Sequence, residues 1–142
     1  MVKYTKKYVA VDIVEDLIEF NKKTFKADNL EFKTLDIAVD DLPKADCVLI
    51  RQVLQHLSNN EVQNIVGKLK DFKFVVLTEH LPSKNFIPNK DIISGQGIRL
   101  KKQSGINLLE QPFNFKIKKE EELLSIVLED KACIKTTLFE VF

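Results

Sequence analysis

The stretch ADCVLIRQVLQHLSNNEVQNIV, residues 45–66, contains a strand pattern and a helix pattern joined by a short polar turn. Its segment CVLI, residues 47–50, is a continuous apolar run of the kind that is buried on both faces of a parallel sheet. Ser58 and Glu61 have the spacing of a capping box at the start of a helix. The apolar residues that follow recur at the spacing of one helix face: Val62, Ile65, Val66 and Leu69. The stretch therefore predicts a buried strand followed by a capped helix.

The chain on either side continues this alternation. Residues 7–11, 30–35 and 73–78 have strand patterns. A helix is predicted between the first two of these strands, because apolar residues share one helical face there: Val14, Leu17, Ile18 and Phe25. Strands that alternate with helices imply a parallel sheet with right-handed crossovers. The expected fold class is α/β, a Rossmann-like, mostly parallel sheet with helices on both faces, in a single domain over residues 1–142.

The C-terminal part departs from this pattern. Residues 83–112 are rich in glycine and proline and predict a long insert that contains a short helix. Two β-rich segments follow, around a turn at Glu129, Asp130 and Lys131, and they predict an antiparallel hairpin. The phenylalanines near this region are expected in the core: Phe72, Phe74, Phe113 and Phe115.

Composition excludes several classes of protein. The chain has 22 Lys and Arg against 21 Asp and Glu, a net charge of +1, so neither nucleic acid nor membrane is an expected partner. The two cysteines, Cys47 and Cys133, cannot form a disulfide framework or a zinc site without further ligands, and no metal site is expected. No signal peptide or long apolar run is present, so a cytoplasmic location is predicted. The abundance of Lys, Ile, Asn and Phe indicates an AT-rich, bacterial genome.

Polar residues follow the predicted strands where each strand ends. They are Asp12, Asp36, Arg51, Gln52, Thr78, Glu79 and His80. Because the carboxyl ends of parallel strands meet at one edge of a sheet, and ligands bind outside that edge, we expect these residues to converge on one rim. Asp12 and Arg51 are therefore predicted to share it.

Three stretches together resemble the class I S-adenosylmethionine-dependent methyltransferases. They are VAVDIVEDLIEFN (residues 9–21), LEFKTLDIAVDDLP (residues 30–43) and the opening stretch with its V-L-x-H-L element. The resemblance extends from Lys7 to Phe142, and the final hairpin is similar to the antiparallel last strand of that family. It implies S-adenosylmethionine as the cofactor and methyl transfer to a small-molecule or sugar-type acceptor.

The family's glycine-rich cofactor loop has no counterpart in this sequence. In the family, that loop lies in the strand and helix that come before the position of Asp12. Here eleven residues precede Asp12 and none of them is glycine. The resemblance thus implies a chain that begins after the loop and binds S-adenosylmethionine weakly alone. It also implies an N-terminal fragment, or a second copy of the chain, that covers an open sheet edge.

The resemblance also suggests cofactor-binding residues. Asp12, with Ile13 beside it, would accept hydrogen bonds from the ribose hydroxyls, although an acid at this position also caps a helix. Asp36 would accept from the adenine amino group with Ile37 against the ring, or it could be a turn aspartate. Arg51 and Gln52 would hold the methionine carboxylate or an anionic acceptor, and the alternative for Arg51 is a salt bridge.

The predicted catalytic residues are His56, His80 and Glu79, which could orient or deprotonate an acceptor. The alternative for His56 is a structural role at the start of the helix. The insert, residues 83–112, would shape the acceptor site, and its basic residues suggest an anionic acceptor or else a solvated surface: Arg99, Lys101 and Lys102. Two other functions stay open: a non-catalytic binding or assembly subunit, and a nicotinamide-dependent fragment that shares Asp12.

Overall fold

A computed structural model describes residues 1–128 and 132–142. The elements are β1 (Tyr8–Asp12), α1 (Glu15–Thr24), β2 (Leu30–Thr34), β3 (Cys47–Arg51), α2 (Asn59–Leu69), β4 (Phe74–Pro82), β5 (Lys119–Val127) and β6 (Ala132–Glu140). Short 3-10 turns occupy Val2–Tyr4, Leu54–His56 and Arg99–Lys102. The predicted order of strands, helices, insert and hairpin is confirmed. The turn predicted at Glu129, Asp130 and Lys131 lies outside the described residues.

The chain divides into two compact units, Met1–Pro43 and Lys44–Phe142. In the first unit β1 and β2 pair in parallel, from Tyr8 opposite Leu30 to Asp12 opposite Thr34. Helix α1 connects them, as a right-handed crossover requires.

The apolar face predicted for α1 is mostly exposed. The predicted apolar face consists of four residues. Ile18 is 1% exposed, whereas Val14, Leu17 and Phe25 are 51%, 42% and 55% exposed. A sheet of two strands is only about 5 Å wide between strand axes, so it can cover little more than one row of helix side chains. The helix is confirmed, and the burial of its whole apolar face is not.

The second unit contains a four-stranded sheet in the order β3-β4-β6-β5. Strands β3 and β4 are parallel, and β6 is antiparallel to both β4 and β5. The parallel pairing of β3 with β4 and the C-terminal hairpin are therefore both confirmed. However, β3 is an edge strand of the described sheet and only Ile50 of its segment CVLI is buried, so the predicted burial of this strand on both faces is wrong.

Helix α2 provides much of the core of this unit. The Ser58 side chain accepts from the Glu61 N–H, and the Glu61 carboxylate accepts from the Ser58 N–H at 3.0 Å, which completes the predicted capping box. The four residues predicted to face the core are all buried: Val62, Ile65, Val66 and Leu69. Three of the four predicted core phenylalanines are buried as well, namely Phe72, Phe113 and Phe115, while Phe74 is half-buried.

The insert contains the expected short helical turn, Arg99–Lys102. The expectation of a solvated basic surface is wrong for Arg99, which is 1% exposed, and it holds for Lys101 and Lys102. Arg99 can be buried because backbone carbonyl groups accept hydrogen bonds from its guanidinium group.

The structure also bears on the expectations about membrane spans and cysteines. No helix in the described part of the chain has both the length and the apolar character that crossing a bilayer demands. Cys47 on β3 and Cys133 on β6 are free and half-buried. Burial, and next the charge of Asp46, raise the pKa of the Cys47 thiol, which disfavours a nucleophilic role.

Candidate functional site

In the first unit, Asp12 is the last residue of β1 and lies where the chain enters α1. One carboxylate oxygen, Oδ1, accepts a hydrogen bond from the Val14 N–H at 2.9 Å, and Val14 is the N-cap residue of α1. The backbone carbonyl of Asp12 accepts from the Leu35 N–H at 2.9 Å. Asp12 therefore uses one of its two carboxylate oxygens to support the start of the helix.

Asp36 begins the turn that follows β2. Its Oδ1 accepts from the Ala38 N–H at 2.9 Å, and its own N–H donates to Asp40 Oδ2 at 2.8 Å. These are the contacts of a turn aspartate. The adenine contact of Asp36 stays a prediction. Ile37 is half-buried, and Ile13 is 64% exposed.

Asp12 and Asp36 lie at the same edge of this small sheet. Both follow the carboxyl ends of parallel strands, and Asp12 pairs in register with Thr34 at the end of β2. A cavity of about 420 Å³ opens at the opposite, amino-terminal end, lined by Lys6, Lys7, Asp28, Asn29, Leu30 and Glu31. The two acids, and not this cavity, occupy the edge at which parallel sheets bind ligands.

In the second unit, Arg51 is the exposed last residue of β3. Gln52 follows it with φ of 54°, a left-handed conformation, and its N–H donates to the Thr78 carbonyl at 2.7 Å. Such a conformation costs a non-glycine residue roughly 1 kcal/mol and occurs often at functional sites. Asp12 and Arg51 belong to separate units, so their common rim stays a prediction.

Glu79 on β4 is 2% exposed and holds the 3-10 turn that follows β3. Its Oε1 accepts from the Leu54 N–H at 3.2 Å, and its Oε2 accepts from the Gln55 N–H at 3.0 Å. Burial raises the pKa of Glu79 to about 8, although these N–H groups and the charge of Arg99 oppose the shift. At pH 7 such a carboxyl group is mostly protonated, which suits it poorly to accept a proton.

The two histidines differ in their surroundings. His56 Nδ1 contacts the Gly97 carbonyl at 3.2 Å, and His56 Nε2 contacts Gln55 Nε2 at 3.2 Å. His80 Nε2 is buried, and none of the residues that the structure describes forms a hydrogen bond with it. The two ring nitrogens of His56 are thus both engaged, whereas His80 keeps a nitrogen for another partner.

The residues that sequence reasoning missed are Arg99 and Gln55. Arg99 donates to the carbonyl groups of Leu54 and Leu57 at 3.1 and 2.7 Å, and Gln55 contacts both histidine residues. The only sequence signal for Gln55 is its place inside the V-L-x-H-L element. No group of three or more His, Cys, Asp or Glu side chains within residues 1–128 and 132–142 could hold a metal ion.

A testable consequence concerns pH. Glu79 keeps its proton up to a pH of about 8 in the folded chain, against about 4.5 when it is unfolded. Between these values the folded state binds more protons, so the free energy of unfolding falls as pH rises. We expect a decrease of roughly 1–2 kcal/mol, less than the full pKa difference implies, because local opening lets water reach the charged group.

Urea unfolding of wild type and Glu79→Gln at pH 5 and pH 9 measures this effect. The amide stays neutral, so the variant should lose most of this pH dependence while being slightly less stable at pH 5. Glu110→Gln, at an exposed position of the insert, is the control and should keep the wild-type slope. Equal slopes in wild type and Glu79→Gln would contradict the assignment.

No family model matches the sequence, and no curated protein sequence matches it either. Solved structures do match. A protein described as an S-adenosylmethionine-dependent methyltransferase from Listeria monocytogenes has a TM-score of 0.60 at 10% identity, over 96% of this chain and 81% of that one. The fold is that of a class I S-adenosylmethionine-dependent methyltransferase.

Two further matching structures have S-adenosylhomocysteine (SAH) bound. The N-terminal domain of EvdMO1 matches with a TM-score of 0.62 at 13% identity, over 96% of this chain and 65% of that one. Magnesium protoporphyrin IX methyltransferase from Synechocystis PCC 6803 matches with a TM-score of 0.54 at 14% identity, over 98% and 66%. This chain therefore spans slightly less than two thirds of the length of either protein.

Proposed function

We propose that this chain is a methyltransferase domain that uses S-adenosylmethionine to methylate a small-molecule or sugar-type acceptor. The observation that carries the proposal is the position of Asp12, at the carboxyl end of a parallel strand in the methyltransferase fold. A carboxylate suits a ribose because its two oxygens can accept from both vicinal hydroxyl groups. Ile13, 64% exposed beside it, offers apolar contact.

The chain's residues fit one half of this cofactor better than the other. Asp12 and Asp36, with Ile37, are the proposed contacts for the nucleoside. Arg51 and Gln52 are the proposed contacts for the methionine carboxylate or an anionic acceptor. A close backbone approach to the methionine part requires glycine. The four glycines of the chain are Gly67, Gly95, Gly97 and Gly105, and none belongs to the first unit, which contains Asp12 and α1. We therefore infer that a glycine-rich segment from outside residues 1–142 completes the cofactor site.

Methyl transfer requires mainly that the protein align the acceptor atom with the methyl group of the cofactor. When bound, S-adenosylmethionine supplies a methyl group on a sulfonium, which an acceptor atom displaces in line. An oxygen or nitrogen acceptor also loses a proton, for which a base is needed. His80 is the preferred candidate, because its Nε2 has no hydrogen-bond partner among the described residues. The contacts of His56 and Glu79 favour structural roles instead.

A cavity in the second unit offers a place for a small molecule on the face of β4 that carries Glu79, and His80 is not among its lining residues. It has a volume of about 370 Å³, within the range typical of small-molecule sites. The insert contributes Phe86, Ile106 and Leu108 to its walls, and β4 contributes Glu79. The insert could therefore select a small molecule at this cavity, whereas an acceptor that gives its proton to His80 would bind on the opposite face of the sheet.

Saturation-transfer NMR tests the cofactor class, since it detects millimolar binding. We expect the chain to bind SAH and not NADH. Asp12→Asn should weaken the SAH signal about tenfold, through the loss of hydrogen bonds to a charged acceptor. Asp41→Asn, at an exposed loop acid, is the control. Binding of NADH in place of SAH would support the nicotinamide alternative.

A second possible function is that of a non-catalytic binding or assembly subunit. It is favoured by strand edges that have no neighbouring strand in the described part of the chain and by exposed apolar residues. Among the described residues, β1 pairs only with β2, and β3 pairs only with β4. Leu49 on β3 and both Leu124 and Ile126 on β5 are between 43% and 51% exposed. Exposed strand edges and apolar surface promote association. A dimer in size-exclusion chromatography with light scattering, without any binding of SAH, would support this reading.

We also propose a cytoplasmic setting. Cys47 and Cys133 are free thiols, which suits a reducing compartment.

A further inference from the structure

Gln55 lies at the centre of a hydrogen-bond network in the second unit and is 7% exposed. Its backbone N–H donates to Glu79 Oε2 at 3.0 Å, and its Oε1 accepts from the His80 N–H at 3.0 Å. Its Nε2 lies 3.2 Å from His56 Nε2. Gln55 therefore connects β4 with the histidine next to it in the chain.

His56 continues this network into the insert. Its Nδ1 lies 3.2 Å from the Gly97 carbonyl, and its own backbone carbonyl accepts from the Gly95 N–H at 3.0 Å. The side chains of Gln55 and His56 thus form a continuous link from the His80 backbone on β4 to Gly97.

The direction of each hydrogen bond follows from the groups at the two ends. A backbone carbonyl can only accept, so His56 Nδ1 carries the proton that faces Gly97. The His80 N–H can only donate, so the oxygen of the Gln55 amide faces it and the NH₂ group faces His56. An amide NH₂ only donates, so His56 Nε2 must accept. All three bonds form together only when His56 is the neutral Nδ1–H tautomer.

We propose that Gln55 is a positioning residue that holds His56 in the neutral Nδ1–H form and thereby links the insert to β4. Protonation of His56 opens this link. A proton on Nε2 faces the NH₂ group of Gln55, so the amide must turn over, and its NH₂ group then opposes the His80 N–H. The inference goes beyond the proposed methyl transfer and does not depend on it.

Charged and titratable groups on the neighbouring elements surround the link between Gln55 and His56. Strand β4 contributes Glu79 and His80, and the insert contributes Arg99. The first turn of α2 contains Glu61, which accepts from the Ser58 N–H at 3.0 Å. Hydrogen bonds from the Ser58 side chain, and then from Ser94, hold the pKa of Glu61 below its usual range, so Glu61 is charged at neutral pH. Arg99 Nη1 donates to the Gln55 carbonyl at 3.4 Å.

Nitrogen-15 NMR of the side chains tests the proposal, because the chain has only two histidines. His80→Gln assigns the signals. At pH 8 we expect wild-type His56 as the Nδ1–H tautomer. Gln55→Leu should shift the tautomer ratio about fivefold toward Nε2–H, as the loss of one hydrogen bond implies. Gln55→Glu, whose carboxylate accepts from a protonated Nε2, should make His56 titrate at a higher pH than in wild type.

The backbone amide proton of His80 is an independent readout. In wild type its chemical shift should follow the titration of His56, and in Gln55→Leu it should not. Gln63→Leu, at an exposed position of α2, is the control and should behave as wild type. Wild-type His56 as the Nε2–H tautomer would overturn the proposal even if every Gln55 variant failed to fold. A His80 amide signal that ignores the His56 titration would overturn it as well.

Discussion

Arg99→Met is expected to lower the free energy of unfolding by about 3–5 kcal/mol. The Arg99 guanidinium donates to the carbonyl groups of Lys90, Leu54 and Leu57 at 3.1, 3.1 and 2.7 Å, and to Asn59 Oδ1 at 2.8 Å. Removing it leaves several buried acceptors without a donor, and each costs roughly 1 kcal/mol or more. Methionine keeps much of the volume, so the loss reports hydrogen bonding more than packing.

Two further variants separate charge from geometry. Arg99→Lys keeps the positive charge but lacks the planar fork with five donors, so we expect it to recover less than half of the lost stability. Lys101→Met, in the same 3-10 turn but exposed, should change stability by less than about 0.5 kcal/mol. Urea unfolding measures all three. A loss below about 1 kcal/mol for Arg99→Met would show that its contacts do not hold the insert in place.

Local patterns predicted α2 and its surroundings well. The capping box of Ser58 and Glu61 joins residues three positions apart, and the buried face of α2 repeats with the helical period. Strands β3 and β4 are apolar runs whose parallel pairing follows from the helix between them. In each case the deciding interaction is local or follows from chain connectivity, so the sequence contains the necessary information.

The contacts of the site depend on residues that are distant in sequence. Arg99 is 45 positions from Leu54, and Gln55 is 25 positions from His80. A lone arginine in a basic, glycine-containing segment has the pattern of a solvated residue. Only the folded insert shows that carbonyl groups of another segment surround it. The exposed face of α1 escaped prediction for a related reason, since periodicity locates an apolar face without showing what covers it.

Cofactor affinity is the other large expected effect. We expect residues 1–142 alone to bind SAH at least two orders of magnitude more weakly than the same chain preceded by a strand, a glycine-rich loop and a helix. Such a loop would add several backbone hydrogen bonds, at about 1 kcal/mol each, and one wall of the pocket. Asp12 can still accept from a ribose, but one anchor does not offset the cost of immobilising the ligand.

Isothermal titration calorimetry measures the affinity for SAH of residues 1–142 and of the chain with the added segment. The added segment can be taken from the N-terminal domain of EvdMO1, which has the same fold and binds SAH. A matched fusion with valine in place of the loop glycines is the control, because it supplies the strand and helix but blocks the close backbone approach. It should bind as weakly as residues 1–142 do. Micromolar binding of SAH by residues 1–142 alone would instead mean that the fold holds its cofactor without a glycine loop.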